Sequence, residues 1–521
     1  MSDFDGRIVD LYRGELDYLR QSGRVFSEKY PKIAARLELS DQESPDPQVE
    51  RLLESFAYLT ARIQARIDDQ NALVPSAILG QLHPYLIEPT PPMSTAYFKT
   101  TLEQQVAPSG KLLPRGTPLY IQTGQGDFCR FVTRYDVDLR PLEIVGASIE
   151  PVSYHKQFDT SKVASVLKIE ISGQGLPVSE VPISNLRIHL AGDLKDAMDL
   201  QELLCSNVVA TALVGDEENQ LTYINHSIVS EVGFKDSEAV LEDKGDSLSA
   251  YRLLSEYFVW PSKFLYLDFN EVDKRPPGKK LTILLGLDQP ARRNLTVKPR
   301  NFLLGCTPVV NLFKKTLEPI RLDYTREQYF LEPEAGGLIN YEIHSINRVS
   351  ISSPAVKQMR TLEPYFSFKH KIGSDIPKEF WFATRSGAGA GLQGSQMHIS
   401  FVDTDFTPQR PGGETATIQA LCTNRNLVEQ LPIGAVLQGD EDLGALATII
   451  SKPSPTVYAP LDGATLWRLV SQLNLNHFSF SRDEASIDAL REILRLYCPD
   501  YRPSAFQEVM GLRQLEVEQV V

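Results

Sequence analysis

The spacing of apolar residues changes near Ser94, and this change limits the folds open to the chain. Before Ser94, apolar residues recur every three or four positions, which is the period of an amphipathic helix. After it they alternate with polar residues, as at 167–171 and 186–190, which is the period of a half-buried strand. The sequence predicts an α+β, multi-domain protein, with long amino-terminal helices followed by mainly antiparallel β-sandwich-like domains and scattered helices.

The clearest helix start lies at Asp46 and Pro47. Aspartate is a favoured N-cap, and proline is tolerated at the first helical position because its missing N–H has no partner there anyway. The predicted apolar stripe of this helix consists of Val49, Leu52, Leu53, Phe56, Leu59, Ile63 and Ile67. The predicted opposite, polar side carries Glu50, Glu54, Arg62 and Arg66. A separate, shorter helix is predicted over residues 72–82.

With 521 residues, the chain is too long for a single hydrophobic core. We predict a helical region over residues 1–92, a first β-rich domain over 93–250 and a second over 251–450. Residues 451–521 are predicted to hold a proline-rich linker, a helix and the start of a carboxy-terminal region.

The overall charge excludes several classes of function. A net charge of −14 argues against binding nucleic acid or anionic membranes by general electrostatics.

No segment approaches the roughly 20 apolar residues of a membrane-spanning helix, and the first ten residues lack the apolar core of a secretion signal. The five cysteines form no C-x-x-C pair, so we predict no zinc site and no disulfide framework. We expect a cytoplasmic protein without cofactors, without nucleic acid and without direct membrane insertion.

Motifs that carry chemistry are absent or lie in the wrong context. Residues 389–394 match the G-x-G-x-x-G pattern, but a dinucleotide site needs a helix directly after the glycines, and residues 397–401 alternate like a strand. We therefore predict a hairpin loop there. The eight histidines include no pair at the i, i+4 spacing of metal ligands, and His189 and His398 are predicted on the polar sides of their strands. We expect no enzyme and no catalytic residues.

Two alternatives stay open on the sequence. A glycan-cleaving enzyme needs two opposed carboxylates, and 67 acidic residues could supply such a pair in space. A carbohydrate-binding module would expose Trp260, Trp381 or Trp467, although large aromatic residues at strand edges more often anchor a core.

Nine segments, spread along nearly the whole chain, stand in the same order as segments known from one protein family. They are residues 12–20, 30–37, 46–63, 113–117, 256–264, 306–313, 422–427, 467–476 and 490–497. Together they resemble the TssF/ImpG/VasA family of the bacterial type VI secretion system. An ordered series of this length is far more specific than one short motif. Members of the family usually continue beyond the position of Val521, so we expect a further carboxy-terminal segment in the family pattern.

The resemblance implies a structural wedge subunit of a contractile baseplate. Two copies of the subunit are expected to clasp one TssG, and the wedges to join TssE and TssK around the VgrG spike. The resemblance implies no catalytic residues. It places the protein in the cytoplasm, at the inner face of the cell envelope when the baseplate is docked.

A subunit that clasps partners through helices needs an apolar stripe left over after its own packing. We hypothesise that such a stripe joins a helical bundle shared with TssG. Its residues are Leu52, Leu53, Phe56, Leu59, Ile63 and Ile67. The alternative is that the two amino-terminal helices cover each other within one subunit.

Overall fold

The computed structural model of the chain shows long amino-terminal helices followed by antiparallel sheets, as the apolar spacing predicts. It describes residues 2–34, 46–100, 107–123, 126–216, 220–241, 249–290, 295–323, 325–334, 337, 339–353, 356–365, 379–389, 392–403, 413–473 and 484–515. The helices are α1 Ser2–Lys29, α2 Pro31–Ala34, α3 Pro47–Leu82, α4 Leu194–Ser206, α5 Ser249–Val259, α6 Gly463–Leu473, α7 Glu484–Arg495 and α8 Pro503–Met510.

The strands begin directly after the helical region. They are β1 Met93–Lys99, β2 Lys111–Leu113, β3 Pro118–Gln122, β4 Phe128–Thr133, β5 Val137–Leu139, β6 Leu142–Pro151, β7 Ser165–Gly173, β8 Leu186–Leu190, β9 Val208–Val214, β10 Leu221–Ile224, β11 Val229–Glu231, β12 Tyr266–Phe269, β13 Lys280–Leu287, β14 Phe302–Leu304, β15 Cys306–Val310, β16 Phe313–Thr316, β17 Ile320–Leu322, β18 Tyr329–Phe330, β19 Glu342–Ser353, β20 Val356–Pro364, β21 Glu379–Gly387, β22 Ser395–Asp403, β23 Glu414–Thr423, β24 Val436–Gly439 and β25 Leu446–Ile449.

The strands form a closed barrel, two packed sheets, one large sheet and a small ribbon. The barrel has the order β1-β15-β4-β3-β24-β25, and the ribbon pairs β2 with β5. A five-stranded sheet, β10-β9-β13-β7-β6, shares one apolar core with a four-stranded sheet, β11-β12-β8-β14, and with α4. The large sheet has the order β16-β23-β19-β20-β21-β22-β18, with β17 also on β23. Two sheets around one core match the sandwich-like architecture predicted from the alternating strands.

Strand pairing crosses residue 250, where the two β-rich domains are predicted to divide. In the five-stranded sheet, β13 lies between β7 and β9, which precede it by more than sixty residues in sequence. The barrel likewise joins β1, β3 and β4 to strands from much later in the chain. The sheets therefore do not separate at residue 250, and the division into 93–250 and 251–450 stays a prediction about folding units.

Helix α3 begins as predicted and is longer than predicted. The Asp46 carboxylate accepts a hydrogen bond from the backbone N–H of Gln48 at 2.8 Å, and Pro47 is the first helical residue. The helix then continues to Leu82, so the prediction of a separate helix over 72–82 is wrong. Pro75 lies inside the helix and removes one backbone hydrogen bond. Packing of Leu79 against α6 stabilises this segment.

Helices α1 and α3 pack together, and we call the pair the amino-terminal hairpin. Arg20 of α1 forms an ion pair with Glu50 of α3 at 2.5 Å. On the same side of α3, Ala57, Ala61 and Ala65 recur every four residues and are at most 2% exposed. Small side chains let two helices approach closely, so this alanine face is where α3 meets α1.

Two buried asparagines join the barrel to the large sheet. The Asn311 amide donates to the carbonyl of Arg130 at 2.6 Å and to the Asn424 side-chain oxygen at 2.8 Å. The Asn424 backbone N–H donates back to Asn311 Oδ1 at 2.6 Å, and its amide donates to the carbonyl of Phe128 at 3.1 Å. Because these bonds are reciprocal and buried, they fix the position of strand β4 against the end of β23.

A buried ion pair joins helix α5 to the residues that directly precede β12 of the four-stranded sheet. Glu256 and Lys263 are both fully buried and in contact. The Glu256 carboxylate also accepts the backbone N–H groups of Val240 and Leu241, each at 2.8 Å. Burial lowers the pKa of Lys263, and the nearby Glu256 carboxylate opposes that effect.

His189 is buried, so its predicted place on a polar strand side is wrong. Its ring packs on that of Tyr266, its cross-strand neighbour, with 4.5 Å between centroids. Its Nδ1 lies 3.2 Å from the carbonyl oxygen of Leu265. Strand β8 is central in its sheet and covered on both faces, which alternation alone does not reveal. Burial lowers the pKa of His189 to about 4.

This buried histidine predicts a loss of stability in acid. Between the unfolded pKa of about 6.5 and the folded pKa of about 4, the unfolded chain binds a proton that the folded chain does not. The free energy of unfolding should therefore fall by about 3 kcal/mol as the pH drops through this window. Urea unfolding at pH 7, 5.5 and 4 measures it. His189→Gln should lose this part of the pH dependence, and identical profiles for the two proteins would refute the assignment.

The junction between the barrel and the large sheet predicts a second effect on stability. Asn424→Ala leaves the Arg130 N–H and the Asn311 amide without their shared acceptor. The free energy of unfolding should fall by about 2–4 kcal/mol, measured by urea denaturation. Asn426→Ala is the matched control, because Asn426 is exposed and should change stability by less than about 0.5 kcal/mol. Equal effects of the two substitutions would show that the junction contributes nothing.

Candidate partner-binding surface

The apolar stripe predicted on α3 lies largely in solvent. Its exposed members are Leu52, Phe56, Leu59, Ile63 and Ile67, which are between 45% and 68% exposed. Leu53, the sixth predicted residue, is half-buried. Large apolar side chains in a continuous exposed row mark surfaces that bind other molecules. We call these five exposed side chains the α3 stripe.

The geometry of α3 explains why the α3 stripe is uncovered. At about 100° per residue, Ile63 and Ala61 lie about 160° apart around the helix. The alanine face is buried and meets α1, so α1 does not cover the α3 stripe. From Leu52 to Ile67 the stripe extends about 22 Å along the helix. Its successive spacings of four, three, four and four residues are those with which one helix packs along another.

The arginines of α3 lie beside the stripe, so the prediction that Arg62 and Arg66 lie opposite it is wrong. Arg51, Arg62 and Arg66 are all exposed. The Arg62 guanidinium lies 5.9 Å from the centre of the Tyr58 ring. The opposite side is instead the alanine face, together with Glu50, which pairs with α1. The four-residue spacing of the alanines is present in the sequence. The predicted sides of α3 were based on the larger apolar side chains, so the alanine face was missed.

A cleft of about 660 Å³ lies where the barrel meets the four-stranded sheet. Its carboxylates are Asp136, Asp138, Glu143, Glu238 and Asp268. Four of them accept hydrogen bonds from the chain itself: Asp136 from the Arg115 N–H, Asp138 from Arg140, Glu238 from the Gly233 N–H and Asp268 from Arg187. Glu143 has no hydrogen-bond or ion-pair partner among the residues that the structure describes. Contacts within the chain thus hold four of the five carboxylates in place.

The three tryptophans do not form a sugar-binding platform. Trp260 is buried, and Trp381 is half-buried against the core of the large sheet. Trp467 is exposed, but it stands alone on α6. Of the three tryptophans that the carbohydrate-binding alternative would expose, Trp467 alone is exposed, so they do not form a set that could stack on a sugar.

The glycine-rich segment forms part of a hairpin, as predicted. Strand β22 begins at Ser395, directly after Gly394. It pairs antiparallel with β21, whose last residue, Gly387, lies opposite Ser395. Strand β22 therefore occupies the position where a dinucleotide site needs a helix. Ala390 and Gly391 lie outside the described residues.

The described part of the chain contains neither a candidate metal site nor a candidate membrane-spanning helix. Within it, no group of three or more His, Cys, Asp or Glu side chains is placed to hold a metal ion. No described helix is both long enough and apolar enough to cross a membrane.

Several segments that carry the family resemblance lie at structural junctions. Arg115 donates to the carbonyls of Ser237 and Ala239, and so ties the end of the ribbon to a neighbouring loop. Segment 256–264 holds the buried Glu256–Lys263 pair, and segments 306–313 and 422–427 supply the two reciprocal asparagines. These segments therefore stabilise the fold, whereas segment 46–63 carries most of the α3 stripe.

Comparison with known proteins identifies the family. A family model described as "Type VI secretion system, TssF" matches residues 4–521. The type VI secretion system component TssF1 of Pseudomonas aeruginosa is 30% identical over 536 residues, covering 98% of this chain and 86% of the relative.

Solved structures share the fold. A chain of a type VI TssK-TssF-TssG baseplate subcomplex, determined by cryo-electron microscopy, matches with a TM-score of 0.69 at 22% identity, over 89% of this chain and 84% of that one. A chain of a type VI baseplate complex matches with a TM-score of 0.58 at 22% identity, over 94% and 83% of the two chains. The ordered segments, the family model and the TssF1 relative agree, and the chain belongs to the TssF family of the type VI secretion system.

Proposed function

We propose that this chain, a structural baseplate component of the type VI secretion system, holds TssG through the α3 stripe. The observation that carries the proposal is the row of five large apolar side chains left in solvent on the amino-terminal hairpin. The matched cryo-electron microscopy complex contains TssG and TssK beside its TssF, which makes these two proteins the first partners to test.

The α3 stripe can supply enough free energy for a stable contact. Burying a Leu, Ile or Phe side chain contributes about 1.5–3 kcal/mol when it starts fully exposed. The five side chains are about half exposed, so their burial contributes roughly 4–8 kcal/mol before the entropic cost of association. A partner helix packed along the stripe would bury them together.

The further partners of the chain are proposed from its family resemblance. We propose two copies of this chain for each TssG, with further contacts to TssE, TssK and the VgrG spike. In this proposal the chain has no enzymatic activity, and it acts by holding other polypeptides in position, as a structural baseplate component does. The proposed location is the cytoplasm, at the inner face of the envelope once the baseplate is docked.

A charge placed in the α3 stripe tests the proposal. In the isolated subunit, Phe56→Asp puts its carboxylate in solvent, because Phe56 is 60% exposed, so the subunit should stay folded. In the complex the same carboxylate would be buried in an apolar contact at a cost of several kcal/mol. Co-expression with TssG followed by co-purification should therefore recover TssG with the wild-type chain and not with the variant.

The alanine face provides the matched control for this experiment. Ala61 is completely buried, so Ala61→Asp should disrupt the amino-terminal hairpin in the isolated subunit. Circular dichroism measures the helix lost. If Phe56→Asp unfolds the isolated subunit as Ala61→Asp does, the stripe is an internal surface. If Phe56→Asp leaves TssG binding unchanged, TssG docks elsewhere.

A further inference from the structure

We infer that the helix docked on the α3 stripe carries carboxylates along one side, opposite a row of arginines on α3. This inference rests on the proposed function and adds the chemistry of the partner. The arginines are Arg51, Arg62 and Arg66, and we call them the basic flank.

The helical phase of α3 places all three arginines on the same side of the stripe. At about 100° per residue, Arg66, Arg62 and Arg51 lie about 60°, 100° and 120° from the centre of the stripe, in the same direction. In the other direction, at about 60–100°, lie Thr60, Leu53 and Gln64, none of which is charged. Over residues 51–67, the surface offered to a partner is therefore apolar in the middle, basic on one side and uncharged on the other.

The described part of the subunit forms no ion pair with the basic flank. All three arginines are exposed, and none has an ion-pair partner among the residues that the structure describes. Arg62 instead lies over the ring of Tyr58, which is on the same helix.

Charges that border an apolar helical seam select the partner and its orientation. A helix with apolar residues at spacings of three and four, and with Glu or Asp along the side facing the basic flank, satisfies both parts of the surface. A nucleic acid would match the arginines but would leave the α3 stripe in contact with phosphates and water. The exposed apolar row therefore favours a protein helix.

A second copy of this chain, docked through the same stripe, does not supply the carboxylates. If the two-fold axis is perpendicular to the helices, each basic flank faces the basic flank of the other copy. If the axis is parallel to them, each basic flank faces the uncharged side. Neither arrangement pairs the basic flank with carboxylates, so a second copy of this chain is not the partner that this inference describes.

The test compares binding of purified TssG to three variants by surface plasmon resonance at 50 mM and 500 mM salt. Arg66→Glu reverses a charge in the basic flank, and its association rate should be about tenfold below wild type at 50 mM. The difference should shrink at 500 mM, because salt screens exposed charges. Arg13→Glu on α1 changes the net charge equally at an exposed position outside α3, and should bind like wild type.

The third variant, Phe56→Asp, separates this inference from the proposed function. If Phe56→Asp loses TssG while Arg66→Glu and Arg13→Glu bind alike, the stripe is the docking surface and the acidic partner helix is refuted. If Phe56→Asp binds TssG normally, the proposed function fails and the inference fails with it. Loss with Phe56→Asp, together with a salt-sensitive loss specific to Arg66→Glu, supports both.

Discussion

The amino-terminal hairpin depends on which face of α3 is used for packing within the subunit. Helix α3 has an alanine face and a face of large apolar residues, and α1 takes the alanine face. Close approach of two helices over small side chains gives a compact contact, and the Arg20–Glu50 pair adds an ion pair to it. Because the small side chains are sufficient for α1, the large ones stay available. A helix with a single apolar stripe could not hold α1 and also present a surface to another chain.

The remainder of the molecule provides a stable base for this hairpin. The carboxy-terminal third of α3 packs on α6 through Leu79, and the strands that follow enter the barrel directly. The barrel is tied to the large sheet by Asn311 and Asn424, whose bonds are buried and reciprocal. The fully buried Glu256–Lys263 pair fixes a second junction. Removing either partner of such a buried pair leaves an uncompensated polar group, so both partners are needed for the stability of these junctions.

The sequence predicts those parts of the fold that depend on local pattern. The cap at Asp46, the alternating strands and the G-x-G-x-x-G hairpin are all where the pattern places them, because caps, periods and turn residues are local properties. Closure of the barrel could not be predicted, since it pairs β1 with strands more than two hundred residues later. The burial of His189 depends on neighbours that cover the second face of β8. The sequence predicts a separate helix over residues 72–82, but α3 continues through Pro75, and packing of Leu79 on α6 stabilises this segment despite the lost backbone hydrogen bond.

For the candidate surface, too, local sequence pattern does not predict which face tertiary packing covers. Periodicity identified the apolar residues of α3, but it could not say which of the two apolar faces α1 would take. Size decides this: alanines allow a shorter distance between helix axes than a row of Leu, Phe and Ile does. An exposed apolar row also risks association between identical chains. The basic flank opposes one such pairing, because a perpendicular two-fold axis brings Arg62 and Arg66 close to their own copies, and like charges without screening repel. The same arginines that would select an acidic partner helix would thereby disfavour pairing of the free subunit with itself about a two-fold axis perpendicular to α3.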